Sequence, residues 1–184
     1  MIINKFEVLN QDLSFFHTEL KDFPYLINRN EHYGLLKYLS WLKDNQIILD
    51  LGTSRGHSAL ALSQNFNNKV ITYDLIKESN LLDGIRNIQR KILDCNQESL
   101  ENIGCADIIL LDVDPHEGGQ EITFYNRLKL SEFKGILICD DIHLNPAMDN
   151  FWNQIIEEKY DLTEIGHWSG TGLVNFSKEG IKII

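Results

Sequence analysis

Apolar positions recur along this chain with two different rhythms. In residues 1–45 the spacing is helical: Leu35, Leu36, Leu39 and Leu42 fall on one face, with Tyr38 and Trp41 beside them. Asn28 or Asn30 is placed to cap that helix. The segment reads as an N-terminal helical cover. From residue 46 short apolar runs alternate with helical stretches. Strands are predicted over 47–52, 69–74, 89–94, 106–112 and 135–140, and helices over 57–66, 79–87, 97–103, 119–130 and 146–160. Pro146 suits the first turn of the last helix. Two further apolar runs, 162–167 and 173–176, have no clear helix between them and read as a hairpin on the sheet edge. The runs at 47–52, 106–112 and 135–140 are apolar on both faces, which requires helices on both sides of the sheet. The expected fold is one α/β domain over 1–184, with its core in 46–184. It is a Rossmann-like, doubly wound, mostly parallel sheet of about seven strands with a C-terminal antiparallel hairpin.

Ligands of such sheets sit outside the carboxyl ends of the strands. The first strand ends in Asp50-Leu51-Gly52-Thr53-Ser54-Arg55-Gly56-His57-Ser58. Gly52 and Gly56 let the backbone turn tightly and approach a ligand, and the following helix starts with free N–H groups. Asp50, Gly52, Thr53, Ser54, Gly56 and Ser58 are therefore cofactor candidates, with a plain strand-to-helix turn as the competing reading. The spacing D-x-G-x-x-x-G is not the G-x-G-x-x-G dinucleotide fingerprint. Asp74 ends the second strand roughly 20 residues on, where an acid commonly meets ribose hydroxyls. Asp94 ends the third and is placed to accept from an adenine amino group; a solvated loop acid is the alternative.

The fourth and fifth strands end in Asp112-Val113-Asp114-Pro115-His116 and Asp140-Asp141-Ile142-His143. If these strands are neighbours, Asp112, Asp140 and Asp141 converge, with Asp114 nearby. Close carboxylates cannot all ionise cheaply, so protons or a cation must intervene. An all-oxygen donor set favours Mg²⁺ or Ca²⁺ over zinc, and no close His/Cys spacing supports zinc. His116 and His143 are candidate general bases, and a structural role is equally open for each. Trp168-Ser169-Gly170-Thr171-Gly172 reads as a tight connection whose aromatic either shapes a pocket or packs in the core.

Charge narrows the classes. Seventeen Lys+Arg against 27 Asp+Glu give a net charge of −10, which argues against nucleic acid and anionic lipid as partners. No apolar run approaches the ~20 residues of a membrane span, and the N-terminus lacks a signal-peptide pattern. Cys95, Cys105 and Cys139 read as small buried thiols of a reducing compartment. A cytoplasmic location is expected.

These motifs, taken in order, carry a resemblance. ILDLGTSRGHS at 48–58, Asp74, LLDVDPHEGG, GILICDDIH and GTGLVNF at 170–176 resemble class I S-adenosylmethionine-dependent methyltransferases. Within them, the acid pattern is similar to that of the metal-dependent sugar and small-molecule O-methyltransferases. The resemblance implies S-adenosylmethionine as cofactor, with Asp112 among its contacts, and Mg²⁺ or another divalent cation held by Asp112, Asp140 and Asp141. It implies Asp114 as a base candidate, alongside His116 and His143 read from the residues, and a sugar or glycan hydroxyl as acceptor. A catechol-type enzyme and a non-catalytic cofactor-binding module are the alternatives, and a homo-oligomer is left open.

Overall fold

Side chains alternate across each strand, and that alternation sorts the core into two clusters on opposite faces of one sheet. The computed structural model describes residues 1–16 and 31–184. A short strand, β1 (Ile2–Ile3), stands apart from the main sheet. The main sheet holds β2 (Ile47–Leu51), β3 (Lys69–Asp74), β4 (Ile88–Ile92), β5 (Ile108–Leu111), β6 (Ile136–Asp140), β7 (Glu158–Asp161) and β8 (Thr171–Asn175). Its order is β4-β3-β2-β5-β6-β8-β7. The pairs from β4 to β6 are parallel, and β8 runs against both β6 and β7.

Helices cover both faces, as the doubly apolar strands require. α1 (Lys5–Leu9), α2 (Tyr33–Trp41) and α3 (His57–Leu62) pack on the side of Ile48, Ile108, Leu110 and Ile138. α4 (Leu100–Gly104), α5 (Gly119–Leu130) and α6 (Pro146–Gln154) cover Leu49, Leu51, Ile109, Leu111, Leu137 and Cys139. Asn145 caps α6 through the amides of Ala147 and Met148, with Pro146 in the first turn as expected. Among the described residues no helix is long and apolar enough to cross a membrane.

Several elements differ from the sequence expectation. α2 begins after His32, which makes no side-chain cap, while Asn28 and Asn30 lie outside the described residues. The helix predicted at 79–87 is a series of turns, with Gly84 at φ +84°. The last helix ends at Gln154, not residue 160, because 158–161 pair with β8 as an edge strand. Lys159 marks that ending: its ammonium donates to the carbonyls of Trp152 and Ile155. The run at 162–167 is then a 3₁₀ turn (Thr163–Ile165). The N-terminal cover also contains strand, since β1 pairs in parallel with β9 (Lys182–Ile183), 179 residues along the chain from Met1 to the Gly180 carbonyl that its amino group meets. Cys95 and Cys139 are buried, but Cys105 ends α4 and is exposed.

Candidate active site

The strand order reverses at β2, and a cleft of about 310 Å³ opens there beyond the strand ends. Gly52, Ser54, Asp74, Asp94, Asp112, Asp114 and His116 all line it, together with Tyr73, Leu93 and Gln120. Gly52 explains how β2 and β5 can end so close together. Its φ is +101°, and a Cβ there would lie 1.6 Å from the Asp112 carbonyl oxygen. The Asp74 carboxylate accepts from the amides of Ser54 at 2.7 Å and Leu75 at 2.6 Å, which fixes it at the rim. Asp94 accepts from the Asn96 amide and caps a 3₁₀ turn (Cys95–Gln97) in the cleft wall.

Four expected cofactor contacts lie off the cleft wall and support the loop from behind. Asp50 is fully buried and accepts from the hydroxyls of Thr72 and Ser58; burial pushes its carboxyl up to about 6. Thr53 bonds to Thr72. Ser58 is buried in α3. Gly56 turns the chain at φ +97° against Leu82.

At the other end of the cleft, β5 and β6 are neighbours and their acids meet as expected. The charge around them is not what oxygen donors alone suggested, because three imidazoles stand between the carboxylates. His32 Nδ1 lies 3.1 Å from Asp140 Oδ1. His167 Nδ1 lies 3.3 Å from Asp140 Oδ2 and 3.2 Å from Asp141 Oδ1. His116 Nε2 lies 3.4 Å from Asp141 and 3.4 Å from Asp114. Ser169 Oγ donates to Asp141 and sits 2.8 Å from His167 Nδ1. Burial works against a charged His32, but the Asp140 carboxylate overrides it and pushes the imidazole up to about 9. His167 reaches about 10 against the same burial, through Asp140 and Asp141. Burial would raise Asp140, yet the His32 and His167 charges hold it below the usual carboxylate range. Asp112 goes the other way: burial and the Asp140 charge push it well above that range.

Of the three base candidates, Asp114 is exposed on the cleft wall and His116 is beside it. His143 is placed elsewhere. Its Nδ1 and Nε2 face Asp149 at 3.0 Å and Asp161 at 2.8 Å, so it ties α6 to the end of β7 and leaves no ring nitrogen for the cleft. Trp168 is 62% exposed, with its ring 5.6 Å from that of His167, so it is not a core residue.

Sequence reasoning missed Glu31, His32 and His167. For His167 a signal existed: the strand register pairs Thr171 with Asp140, so the residues just before an antiparallel β8 must arrive at the carboxyl end of β6. For Glu31 and His32, at the entrance to α2, there was none.

Seven strands with β8 alone reversed, and a ligand cleft at the end of β2, make this the fold of the class I S-adenosylmethionine-dependent methyltransferases. Solved structures agree. An O-methyltransferase of Bacillus cereus in complex with S-adenosylhomocysteine is 18% identical, with a TM-score of 0.59 over 91% of each chain. A methyltransferase of Podospora anserina bound to S-adenosylhomocysteine is 15% identical, with a TM-score of 0.60 over 89% of this chain and 86% of that one. A Staphylococcus aureus protein proposed to be a caffeoyl-CoA O-methyltransferase is 14% identical, with a TM-score of 0.64 over 90% and 93%. No family model matches the chain, and no curated protein matches it by sequence.

Proposed function

We propose that this protein is an S-adenosylmethionine-dependent O-methyltransferase that methylates a hydroxyl of a sugar or glycan with the help of a divalent cation. One observation carries the reading: Asp112 belongs both to the cleft wall that includes Ser54 and Asp74 and to the carboxylate–imidazole cluster. Cofactor and acceptor sites would meet at that residue, as methyl transfer demands.

Each wall has a task. Asp74 would hold the ribose hydroxyls and Asp94 the adenine amino group, while the bare backbone at Gly52 admits the methionine end. In transfer the sulfur–methyl bond breaks as the oxygen–methyl bond forms in line with it, and much of the acceleration comes from alignment. S-adenosylhomocysteine is the product left in the cleft. The hydroxyl proton must go to a group on the same wall. Asp114 and His116 are the pair placed to take it. The donor set suits a divalent cation, because carboxylate and imidazole atoms from several segments lie within 4.8 Å of one another. The family resemblance assigns such a cation to Asp112, Asp140 and Asp141. When bound there, it would lower the pKa of a hydroxyl that ligates it.

The exposed Trp168 indole supports a sugar acceptor, since a flat ring beside His167 offers a platform to the C–H face of a pyranose. The net charge of −10 disfavours a nucleic-acid acceptor. The likeness to the Staphylococcus aureus protein favours a second reading, a planar phenolic acceptor. Calorimetric titration with S-adenosylhomocysteine is the first test. Micromolar binding is expected, and absence of binding would remove the methyltransferase reading. A matched screen of sugars and catechols then separates the two acceptors.

A further inference from the structure

We infer that Glu31, His32 and His167 form a second cation site beside the acids, one that takes a nitrogen-accepting first-row ion of the zinc class through the Nε2 atoms of both imidazoles. The site is separate from the cation proposed above. None of its three residues lines the cofactor cleft, and each brings a ligand atom within 4.8 Å of the other two.

Which nitrogen each ring can offer follows from the carboxylate behind the pair. Asp140 faces Nδ1 of both rings, with Oδ1 3.1 Å from His32 and Oδ2 3.3 Å from His167. Nδ1 of His167 also meets Ser169 Oγ at 2.8 Å and Asp141 Oδ1 at 3.2 Å. With oxygens on that side, the proton of a neutral ring sits on Nδ1 and the lone pair is left on Nε2. A carboxylate that accepts from the non-ligating N–H is the usual support of a metal-binding imidazole, and here one carboxylate supports two.

On the opposite edge of the rings the geometry is that of a donor set. The His32 side chain is 3% exposed, and among the described residues its Nε2 has no hydrogen-bond partner. A histidine this deeply buried for packing alone would use both nitrogens. His167 Nε2 lies 3.6 Å from Glu31 Oε1, close to the ~3.4 Å between two ligand atoms of a tetrahedral zinc. The two rings stand at 86° with centroids 5.9 Å apart, and two imidazoles on one such ion would have centroids roughly 5 Å apart. The side chains of Glu31 and His167 are each 16% exposed, so the ion would keep a position open toward water. Two imidazoles and one carboxylate make up the three-ligand set of open zinc sites, whereas Mg²⁺ prefers oxygen and bound water.

The test needs neither cofactor nor acceptor. Tag-free protein stripped with chelator is dialysed against Zn²⁺ or Mg²⁺, and bound metal is counted by mass spectrometry. One tightly bound zinc per chain is expected, about 100-fold or more tighter than Mg²⁺. His32→Gln and His167→Gln should each weaken zinc roughly 100-fold, and Glu31→Gln and Asp140→Asn about tenfold. Asp112→Asn, in the neighbouring acid cluster, should change it by about threefold at most. Equal affinity for Mg²⁺ and Zn²⁺ would overturn the inference, as would full zinc affinity in folded His32→Gln and Glu31→Gln. Loss of zinc in Asp112→Asn but not in Glu31→Gln would also overturn it, by putting the ion among the acids. If the histidine variants do not fold, X-ray absorption at the zinc edge of the wild-type protein decides. Two imidazoles bound to the ion would support the site, and one or none would overturn it.

Discussion

Replacing Gly52 with alanine would drive apart the two central strands at the point where the site is built. Two costs add. An L residue held in left-handed backbone at φ +101° loses about 1–2 kcal/mol. The larger cost is steric. The new Cβ would sit 1.6 Å from the Asp112 carbonyl oxygen, and ordinary contact begins at 3.4 Å. Because the obstacle is backbone, no rotamer relieves it, and β2 and β5 must separate. The ladder bond from the Asp112 amide to the Leu51 carbonyl, 2.9 Å long, is the nearest to be lost, at about 1 kcal/mol. The total is roughly 3–5 kcal/mol, which lowers the melting temperature by about 10 °C or more in a chain of this size.

Two other glycines make internal controls. Gly56 has φ +97°, but its Cβ would meet only the Leu82 side chain, at 2.8 Å, and that can yield. Gly84 has φ +84° and open space. Alanine at either should cost little beyond the backbone strain. Thermal melts of the three variants followed by circular dichroism, with S-adenosylhomocysteine titrations, make the assay. The expected order of loss is Gly52→Ala, then Gly56→Ala, then Gly84→Ala, with cofactor affinity falling furthest in the first. A Gly52→Ala protein that melts within 2 °C of wild type and binds cofactor normally would refute the steric argument.

Other outcomes follow from the same geometry. Glu98 is pushed up by burial but pulled down further by Lys91 and Asn102, to about 2 from an ordinary 4.5. Its contribution, roughly 3 kcal/mol at most, is therefore complete above pH 4.5 and lost as pH falls through 2, so the stability gap between wild type and Glu98→Gln should close over that range. A gap that stays constant from pH 7 to pH 2 would contradict the ion-pair origin. Asp112→Asn should lose cation-dependent turnover while S-adenosylhomocysteine still binds; full activity of that variant in EDTA would exclude a cation role. Trp168→Ala should raise the acceptor KM about fivefold to tenfold and leave cofactor affinity unchanged. An effect on cofactor affinity alone would place the indole at the other ligand.

The sheet and its ligand edge were legible in the sequence because their causes are local. Ile47–Leu51, Ile108–Leu111 and Ile136–Asp140 are apolar on both faces, and such strands have no stable place except between two helical layers. Asp112 follows Ile108–Leu111, Asp140 closes Ile136–Asp140 and Asp74 closes Lys69–Asp74, so the chain order alone puts acids at one edge of the sheet. Residues 79–87 and 155–160 were misread because propensity was outweighed by tertiary partners: Leu82 packs over Gly56, and β8 recruits Glu158–Asp161 as an edge strand. What only the tertiary structure decided is the charge balance of the site. His32 and His167 lie 108 and 27 residues from Asp140, and no spacing rule connects them. Helix α2 brings one, and the reversed direction of β8 brings the other. Burial would raise the Asp140 carboxyl, and it is those imidazoles that hold it below the usual carboxylate range.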